Sequence, residues 1–169
     1  KEINIMNKEN YDVCVIGGTG HVGLPLGIML ADSGLRTLLL DINQESIDLV
    51  NSGKMPFIEH GASNLLKKAN SNKKLFASSD KTLIKKSNII IVAIGTPVDE
   101  YLNPKIKIFL NFFKDIYNYL NLRQTLIIRS SVYPKTCDLV FKILKKKKIN
   151  LSYCPERIVQ GYAIKELKS

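Results

Sequence analysis

A chain of 169 residues, 45% of them apolar, is long enough for one well-packed domain and too short for two large ones. Its net charge of +10 comes largely from short lysine clusters at the ends of apolar-periodic segments, where cations complement a helix dipole, and no aromatic residues interleave them to indicate a nucleic-acid partner. The chain has no apolar run near 18 residues, no signal-peptide pattern in residues 1–10 and no metal-spaced cysteines, so we expect a soluble, cytoplasmic protein without a membrane segment or a bound metal.

Residues 1–10 are interpreted as a polar leader, and residues 11–169 as one domain of alternating strands and helices. Strands are predicted at about 11–16, 35–40, 74–78, 88–94, 124–128 and 150–153. Helices are predicted at about 22–33, 44–52, 62–69, 80–86, 105–120 and 135–147. Because each connection is long enough for a right-handed crossover, this order predicts an α/β fold, a doubly wound and mostly parallel six-stranded Rossmann sheet with helices on both faces.

The first predicted strand runs into a glycine cluster, IGGTGHVG, and then into a helix. Gly18, Gly20 and Gly23 give the spacing GxGxxG of a dinucleotide-binding loop. We predict that Gly18 allows the tight turn out of the strand, that Gly20 lets the backbone approach a pyrophosphate, and that Gly23 lets the helix lie close on the sheet. The helix is expected to begin near position 21 or 22, with its free N–H groups directed at the phosphates. The candidate cofactor-binding residues of this loop are Gly18, Thr19, Gly20, His21, Val22 and Gly23.

Asp41 ends the second predicted strand, close to the spacing at which a carboxylate can accept from both hydroxyls of an adenosine ribose. The same negative charge would repel a 2′-phosphate, and no arginine follows it in residues 42–45. We therefore expect NAD rather than NADP as the cofactor.

The strand at 88–94 ends in Gly95-Thr96-Pro97, and the strand at 124–128 is followed by Arg129-Ser130-Ser131. Carboxyl ends of parallel strands meet at one edge of a sheet, which is the edge where the glycine loop lies. Thr96 is therefore a further candidate for binding the cofactor.

Several stretches are specific enough to suggest a family: IGGTGHVGLPLG at 16–27, Asp41-Ile42, NSGKMPFIEHGASNLL at 51–66, VAIGTPVDE at 92–100, IIRSSVYPKT at 127–136 and YCPERIVQGYAIKEL at 153–167. Together they resemble the NAD-binding N-terminal half of the nucleotide-sugar dehydrogenases, the UDP-glucose and UDP-N-acetylmannosamine 6-dehydrogenases. The last four have no reason to occur in an unrelated Rossmann domain.

The resemblance implies an NAD-dependent oxidoreductase of polysaccharide biosynthesis that oxidises the C6 alcohol of a UDP-sugar to a carboxylate and reduces two NAD. It implies a catalytic role for Glu156, which falls on the family's Pro-Glu carboxylate, and for Ser131, which stands where the family usually has a threonine near the cofactor. Hydroxyl and carboxylate groups at strand ends suit proton transfer and water orientation. Arg157, Ile158 and Gly161 resemble the loop that begins the sugar-nucleotide site.

Two departures from the family pattern stand out. The glycine loop has one more residue than the commoner IGLGYVG, with His21 where tyrosine is frequent. The sequence also stops before the family's central helix and C-terminal domain, which carry the nucleophilic cysteine and most UDP-sugar contacts. Cys154 is not expected to replace that nucleophile, because the adjacent Glu156 carboxylate disfavours a thiolate.

The implied partners are a UDP-sugar substrate and the missing C-terminal domain, with a homo-oligomer for the full-length protein. Two alternatives remain open. One is another NAD-dependent dehydrogenase of the 6-phosphogluconate or β-hydroxyacid type, which the segments after residue 90 disfavour. The other is a stand-alone NAD-binding or regulatory module without catalysis, which the length of the chain permits, and fold alone cannot separate these possibilities.

Overall fold

The computed structural model describes residues 10–96, 100–101, 105–122 and 124–168. Most of the expected polar leader and most of the loop expected at 99–104 lie outside the described residues. The strands are β1 Tyr11–Ile16, β2 Thr37–Leu40, β3 Leu75–Ser78, β4 Ser87–Val92, β5 Thr125–Ile128 and β6 Asn150–Tyr153. The α-helices in the described ranges are α1 Gly23–Asp32, α2 Gln44–Asn51, α3 Ala62–Ser71, α4 Ile106–Ile116, α5 Thr136–Leu144 and α6 Ala163–Glu166.

All six strands pair in parallel, in the order β3-β2-β1-β4-β5-β6. β1 is central, and its residue Val15 lies level with Leu39 of β2 and Ile91 of β4. The chain therefore runs outward from β1 in one direction and then, after β3, crosses back to β4 on the other side of β1. This is the order of a doubly wound dinucleotide-binding sheet, with its crevice at the carboxyl ends of β1 and β4. The predicted fold class is confirmed, and the sheet is wholly parallel.

Both faces of the sheet are covered, which explains why the central strands are almost continuously apolar. Alternate residues of β1 enter different cores: Val13 and Val15 pack on the side of α1 and α3, whereas Cys14 and Ile16 pack on the side of α4 and α5. The aromatic stripe of α4 belongs to the second core, where Phe113 is fully buried. Phe113 therefore contributes to the core between α4 and the sheet.

The ends of the elements follow from local chemistry. Asn43 caps α2 by accepting from the Ser46 N–H at 3.0 Å, and Asp80 accepts from the Thr82 N–H at 2.9 Å. Asp80 opens a 3₁₀ helix, Lys81–Lys86, at the place of the short helix expected there. The predicted helices at 105–120 and 135–147 end earlier as α-helices and continue as 3₁₀ turns at Tyr117–Tyr119 and Lys145–Lys147.

Sequence analysis missed α6, which follows the proposed sugar-nucleotide loop. It has only four residues, too few to show helical periodicity. No helix within the described ranges is both long enough and apolar enough to cross a membrane.

Candidate functional site

The glycine loop leaves β1 at residue 17 and is fixed at once to the neighbouring strand. The N–H groups of Gly17 and Gly18 both donate to the carbonyl oxygen of Leu40, at 2.9 and 3.1 Å. Gly17 has a φ of +76°, a left-handed conformation that favours glycine, whereas Gly18 is not in that region. The prediction that Gly18 makes the tight turn is therefore wrong, because Gly17 makes it. Gly18 is required for a different reason, since a Cβ there would lie 2.7 Å from the Cα of Leu39.

Gly23 and Gly27 let α1 approach its neighbours. A Cβ on Gly23 would lie 2.1 Å from the carbonyl oxygen of Gly17, so this residue lets the start of α1 pack against the glycine loop. The prediction that Gly23 lets the helix lie close on the sheet is therefore wrong. The close approach to the sheet occurs one turn later, where a Cβ on Gly27 would lie 2.3 Å from Leu39 Cδ2. α1 itself begins at Gly23, slightly later than expected.

Gly20 differs from the other loop glycines because the packing of the protein leaves room for a side chain at this position. It is exposed, and the nearest atom that a Cβ would meet is the Gly17 carbonyl oxygen at 3.4 Å, close to ordinary contact. Its position does face the cleft described below, where a side chain would occupy ligand space. Together with the nearby start of α1, this gives the backbone cradle that a dinucleotide pyrophosphate requires.

Asp41 follows β2 directly and lies beside the glycine loop. Its Oδ2 accepts from the Thr19 N–H at 2.9 Å, and its Oδ1 accepts from the N–H groups of Ile42 and Asn43 at 2.8 and 3.2 Å. A carboxylate has about four acceptor positions, so one remains on Oδ2 for a ligand hydroxyl. To take both ribose hydroxyls, as predicted, it would have to give up one backbone bond, and the longest is that to Asn43.

A cleft of about 260 Å³ opens beside Asp41, with polar and apolar walls. Its apolar walls include Ile42 and Ile94, and its polar groups include Asp41, Ser79 and Lys81. This composition suits an adenosine, a flat apolar ring attached to a polar sugar. Lys81 was not predicted, because it lies outside the four residues that follow Asp41 and arrives from beyond β3.

A second cleft, of about 370 Å³, lies at the carboxyl edge of β1, β4 and β5. It brings together seven of the residues predicted to act in binding or catalysis: Gly20, His21, Val22, Thr96, Ser131, Glu156 and Ile158. It is also lined by Ala93, Ile94, Gly95, Arg129, Ser130 and Gln160, which were not predicted. Of the other predicted residues, Gly18, Thr19 and Gly23 lie in the loop behind it, Asp41 lines the first cleft, and Arg157 and Gly161 do not line either cleft.

Ser130 and Ser131 have different positions. Ser130 is buried and donates its hydroxyl to the carbonyl oxygen of Ile94 at 2.6 Å, which ties the end of β5 to the loop after β4. Ser131 is exposed and lines the second cleft. The hydroxyl predicted to lie near the reaction centre is thus the one that a ligand can reach.

The carboxylate of Glu156 is held on both oxygens. Oε1 accepts from the N–H groups of Arg157 and Ile158 at 2.7 and 3.0 Å, and Oε2 forms an ion pair with the guanidinium of Arg129. The Nη1 of the same guanidinium donates to the sulfur of Cys154 at 3.2 Å. The assumption that a carboxylate is the charged neighbour of this thiol is therefore wrong, because the group that contacts it is a cation.

Residues 55–61, which we call the 55–61 wall, contact the glycine loop at one end and the segment before α6 at the other. At one end the ring of Phe57 lies 4.0 Å from that of His21, between centroids. At the other end the backbone N–H of His60 donates to the carbonyl oxygen of Gly161 at 3.0 Å, and the His60 ring lies 4.9 Å from that of Tyr162, between centroids. His60 is thus a loop residue with a partner for both its backbone and its ring.

Glu59 strengthens the same link from inside the protein. Its side chain is only 5% exposed, and its Oε1 accepts from the Ile164 N–H at 3.2 Å, across 105 residues of sequence. The wall therefore fixes the position of the predicted sugar-nucleotide loop relative to the glycine loop.

The remaining cysteines do not provide an activated thiolate. Burial raises the pKa of Cys14 to about 12, and burial together with Asp138 raises the pKa of Cys137. Among the described residues, no group of three or more His, Cys, Asp or Glu could hold a metal ion.

A parallel sheet of this order, with a glycine loop and an acidic residue at its carboxyl edge, defines a dinucleotide-binding domain of the dehydrogenase type. Residues 11–169 match the NAD binding domain of the UDP-glucose/GDP-mannose dehydrogenase family, and the chain belongs to that family. The expected cofactor, NAD, agrees with this match, and the resemblance to nucleotide-sugar dehydrogenases is confirmed.

The relatives of the chain support the same assignment. It is 32% identical over 166 residues to a UDP-N-acetyl-D-mannosamine dehydrogenase of Methanococcus aeolicus, covering 95% of this chain and 37% of the relative. It also matches the structure of a UDP-D-ManNAc dehydrogenase from Pyrococcus horikoshii, with a TM-score of 0.84 and 28% identity over 92% of this chain and 38% of that one. For the UDP-N-acetyl-mannosamine dehydrogenase of Staphylococcus aureus the TM-score is 0.82 and the identity 31%, over 92% and 39%. The chain thus spans 37 to 39% of the length of these proteins.

Proposed function

We propose that this chain is the NAD-binding part of an enzyme that oxidises the C6 alcohol of a UDP-sugar to a uronate, with two NAD reduced. The observation that carries the proposal is the second cleft, where the glycine loop meets Thr96, Ser131 and Glu156. The names of the relatives favour UDP-N-acetylmannosamine as the sugar nucleotide. The name of the family makes UDP-glucose the next candidate.

On the cofactor side, each proposed role follows from the geometry. Gly20 and the N–H groups at the start of α1 hold the pyrophosphate, and Asp41 accepts from a ribose hydroxyl through its remaining acceptor position. Thr96 closes the side of the cleft formed by β4. When bound, NAD supplies the hydride acceptor for an alcohol oxidation.

On the substrate side, Ser131 and Glu156 lie in the same cleft, at the ends of β5 and β6. We assign Ser131 to a hydrogen bond near the nicotinamide and Glu156 to the orientation of a water or a substrate hydroxyl. Arg157, Ile158 and Gly161 begin the loop that contacts the sugar nucleotide, and the 55–61 wall holds that loop in place.

A second oxidation step requires the intermediate to be held covalently. Neither Cys14 nor Cys137 has an activated thiol, and Cys154 does not line the second cleft. We therefore assign the nucleophile to a downstream domain of the same polypeptide, which would also close over the cleft. Assembly into a homo-oligomer in the cytoplasm is part of this proposal.

The proposal is tested by comparing residues 1–169 with a protein expressed from the reading frame continued past Ser169. Both should bind NAD in calorimetry, and only the longer protein should produce NADH absorbance with UDP-N-acetylmannosamine, UDP-glucose or UDP-N-acetylglucosamine. Steady turnover by residues 1–169, lost on Cys154→Ala, would show that the nucleophile has been misplaced. A stop codon directly after Ser169 would favour the stand-alone NAD-binding module instead.

A further inference from the structure

We propose that Arg129 is a positioning residue for the oxidation, acting through Glu156 by fixing the orientation of its carboxylate. The inference rests on the proposed function, because it assigns Arg129 to the same cleft and the same reaction. Sequence analysis placed Arg129 at the end of a strand and gave it no role.

The two residues are joined through both backbone and side chains. Arg129 donates its N–H to the Val92 carbonyl oxygen at 2.8 Å, and its own carbonyl oxygen accepts from the Glu156 N–H at 3.0 Å. Their side chains form the ion pair and are only 18% and 10% exposed. The guanidinium is thus carried by an anchored strand end and held against the carboxylate with little contact with solvent.

The number of acceptor positions on Glu156 gives this contact its importance. A carboxylate offers about four, and the N–H groups of Arg157 and Ile158 occupy the two on Oε1. Arg129 occupies one on Oε2. The remaining position is on Oε2, a buried atom that faces the guanidinium. Whether Glu156 can accept a water or hydroxyl there, and from which direction, therefore depends on the placement of Arg129.

Loss of Arg129 would leave a buried carboxylate oxygen without its counter-charge, which is costly. Oε2 would then lose its fixed position, and the carboxylate would be free to turn about Oε1, which the two backbone N–H groups still hold. Because the ends of β4 and β5 and the backbone of the glycine loop do not depend on the guanidinium, NAD binding should be preserved. The expected consequence is a loss of turnover rather than a loss of affinity.

The test uses the full-length enzyme that carries this chain, with kcat and KM measured on the UDP-sugar that it oxidises. Arg129→Met should lower kcat by about tenfold or more and leave the KM for NAD within about twofold. Arg129→Lys should recover part of the activity, because an ammonium keeps the charge but not the planar fork. Cys154→Ala is the matched control, since it removes the other partner of the guanidinium and should leave kcat unchanged.

The decisive comparison is made in a Glu156→Gln background. If Arg129 acts through Glu156, adding Arg129→Met to that variant should cause little further loss of kcat. An equal fractional loss in both backgrounds, or an unchanged kcat in Arg129→Met alone, would overturn the inference. Should Arg129→Met fail to fold, Arg129→Lys with and without Glu156→Gln gives the same comparison. Absence of NAD reduction by the unmutated enzyme with any UDP-sugar would instead overturn the proposed function.

Discussion

The carboxylate of Asp41 accepts a hydrogen bond from the backbone N–H of Thr19, with 2.9 Å between Thr19 N and Asp41 Oδ2. This bond joins the end of β2 to the middle of the glycine loop, 22 residues earlier in sequence. The residue proposed to select the cofactor by its charge therefore also holds the loop that would bind the pyrophosphate. Substitutions at Asp41 must be designed to separate these two roles.

Asp41→Asn separates them in part, because an amide oxygen can still accept from the Thr19 N–H while the negative charge is lost. Its NH2 group, however, cannot accept from the Ile42 and Asn43 N–H groups. The unmutated chain should bind NAD at least about tenfold more tightly than NADP, by calorimetry. Asp41→Asn should lose most of that preference with little loss of NAD affinity, whereas Asp41→Ala should lose both. Equal affinity for the two cofactors in the unmutated chain would remove Asp41 from the ribose site.

Lys81 allows a sharper test of the same cleft. Its cation lines the space beside Asp41 and would attract a 2′-phosphate once the carboxylate is neutralised. We expect any NADP binding gained by Asp41→Asn to fall again, by about tenfold, when Lys81→Ala is added. Calorimetry of the double variant measures this directly, and no change on adding Lys81→Ala would show that Lys81 does not face the ribose.

Gly20 and Gly23 should respond oppositely to the addition of a side chain. Gly20→Val should abolish NAD binding and leave the melting temperature nearly unchanged, because the nearest clash is with a single carbonyl oxygen at 3.4 Å. Gly23→Ala is the matched contrast, since its Cβ would lie 2.1 Å from Gly17 O and should destabilise the fold by about 1 to 3 kcal/mol. Unchanged NADH fluorescence enhancement in Gly20→Val would contradict the assignment of this loop to the pyrophosphate.

Gln124 has a buried side-chain amide whose loss should lower the stability of the whole fold. It is 5% exposed, donates to the carbonyl oxygens of Ile84 and Ser87 at 3.0 and 2.6 Å, and accepts from the Asn121 N–H at 2.7 Å. Gln124→Leu should lower the free energy of unfolding by about 2 kcal/mol, because buried carbonyl groups lose their donor. Asn121→Ala, at an exposed side chain, should cost less than about 1 kcal/mol in the same urea titration.

An ion pair between α1 and α3 predicts a small dependence of stability on pH. Lys68 Nζ lies 2.7 Å from Asp32 Oδ1, and the hydrogen bond from that lysine lowers the pKa of Asp32 from its ordinary value. A carboxylate with a lowered pKa stabilises the folded state above its unfolded pKa, and this contribution is lost as the pH falls through the folded value. The melting temperature of the unmutated chain should therefore exceed that of Asp32→Asn slightly at pH 7 and converge with it as the pH falls through the lowered pKa of Asp32. A difference that grows on acidification would have the wrong sign.

The sequence predicted the strands, most of the helices and the fold class because those features depend on local patterns. Apolar runs marked β1, β2 and β4, and Asn43 and Asp80 began their helices as their capping chemistry indicates. Positions of residues along one sheet edge could also be predicted, since parallel strands share the edge at which they end. That rule predicted that Thr96 lies near the glycine loop, and Thr96 does line the second cleft.

Features that depend on contacts between distant segments could not be predicted in the same way. Gly17, and not Gly18, makes the turn with positive φ, and Gly18 must lack a side chain because Leu39 of β2 lies against it. Lys81 enters the cleft beside Asp41 from beyond β3, and Arg129 reaches Glu156 from the neighbouring strand. Neither contact leaves a pattern within a short window of sequence.

The rate at which the Cys14 thiol is modified measures how often the folded domain opens. Its thiol is fully buried at the middle of the central strand, and burial raises its pKa to about 12, whereas Cys154 is exposed. A thiol reagent should therefore modify Cys154 at once and reach Cys14 only when the whole sheet opens. Since a ligand that binds only the folded state makes such openings rarer, the rate of Cys14 modification should slow in proportion to NAD occupancy. Mass spectrometry of one sample would then report both the accessibility of Cys154 at the surface and, through Cys14, the global stability of the domain.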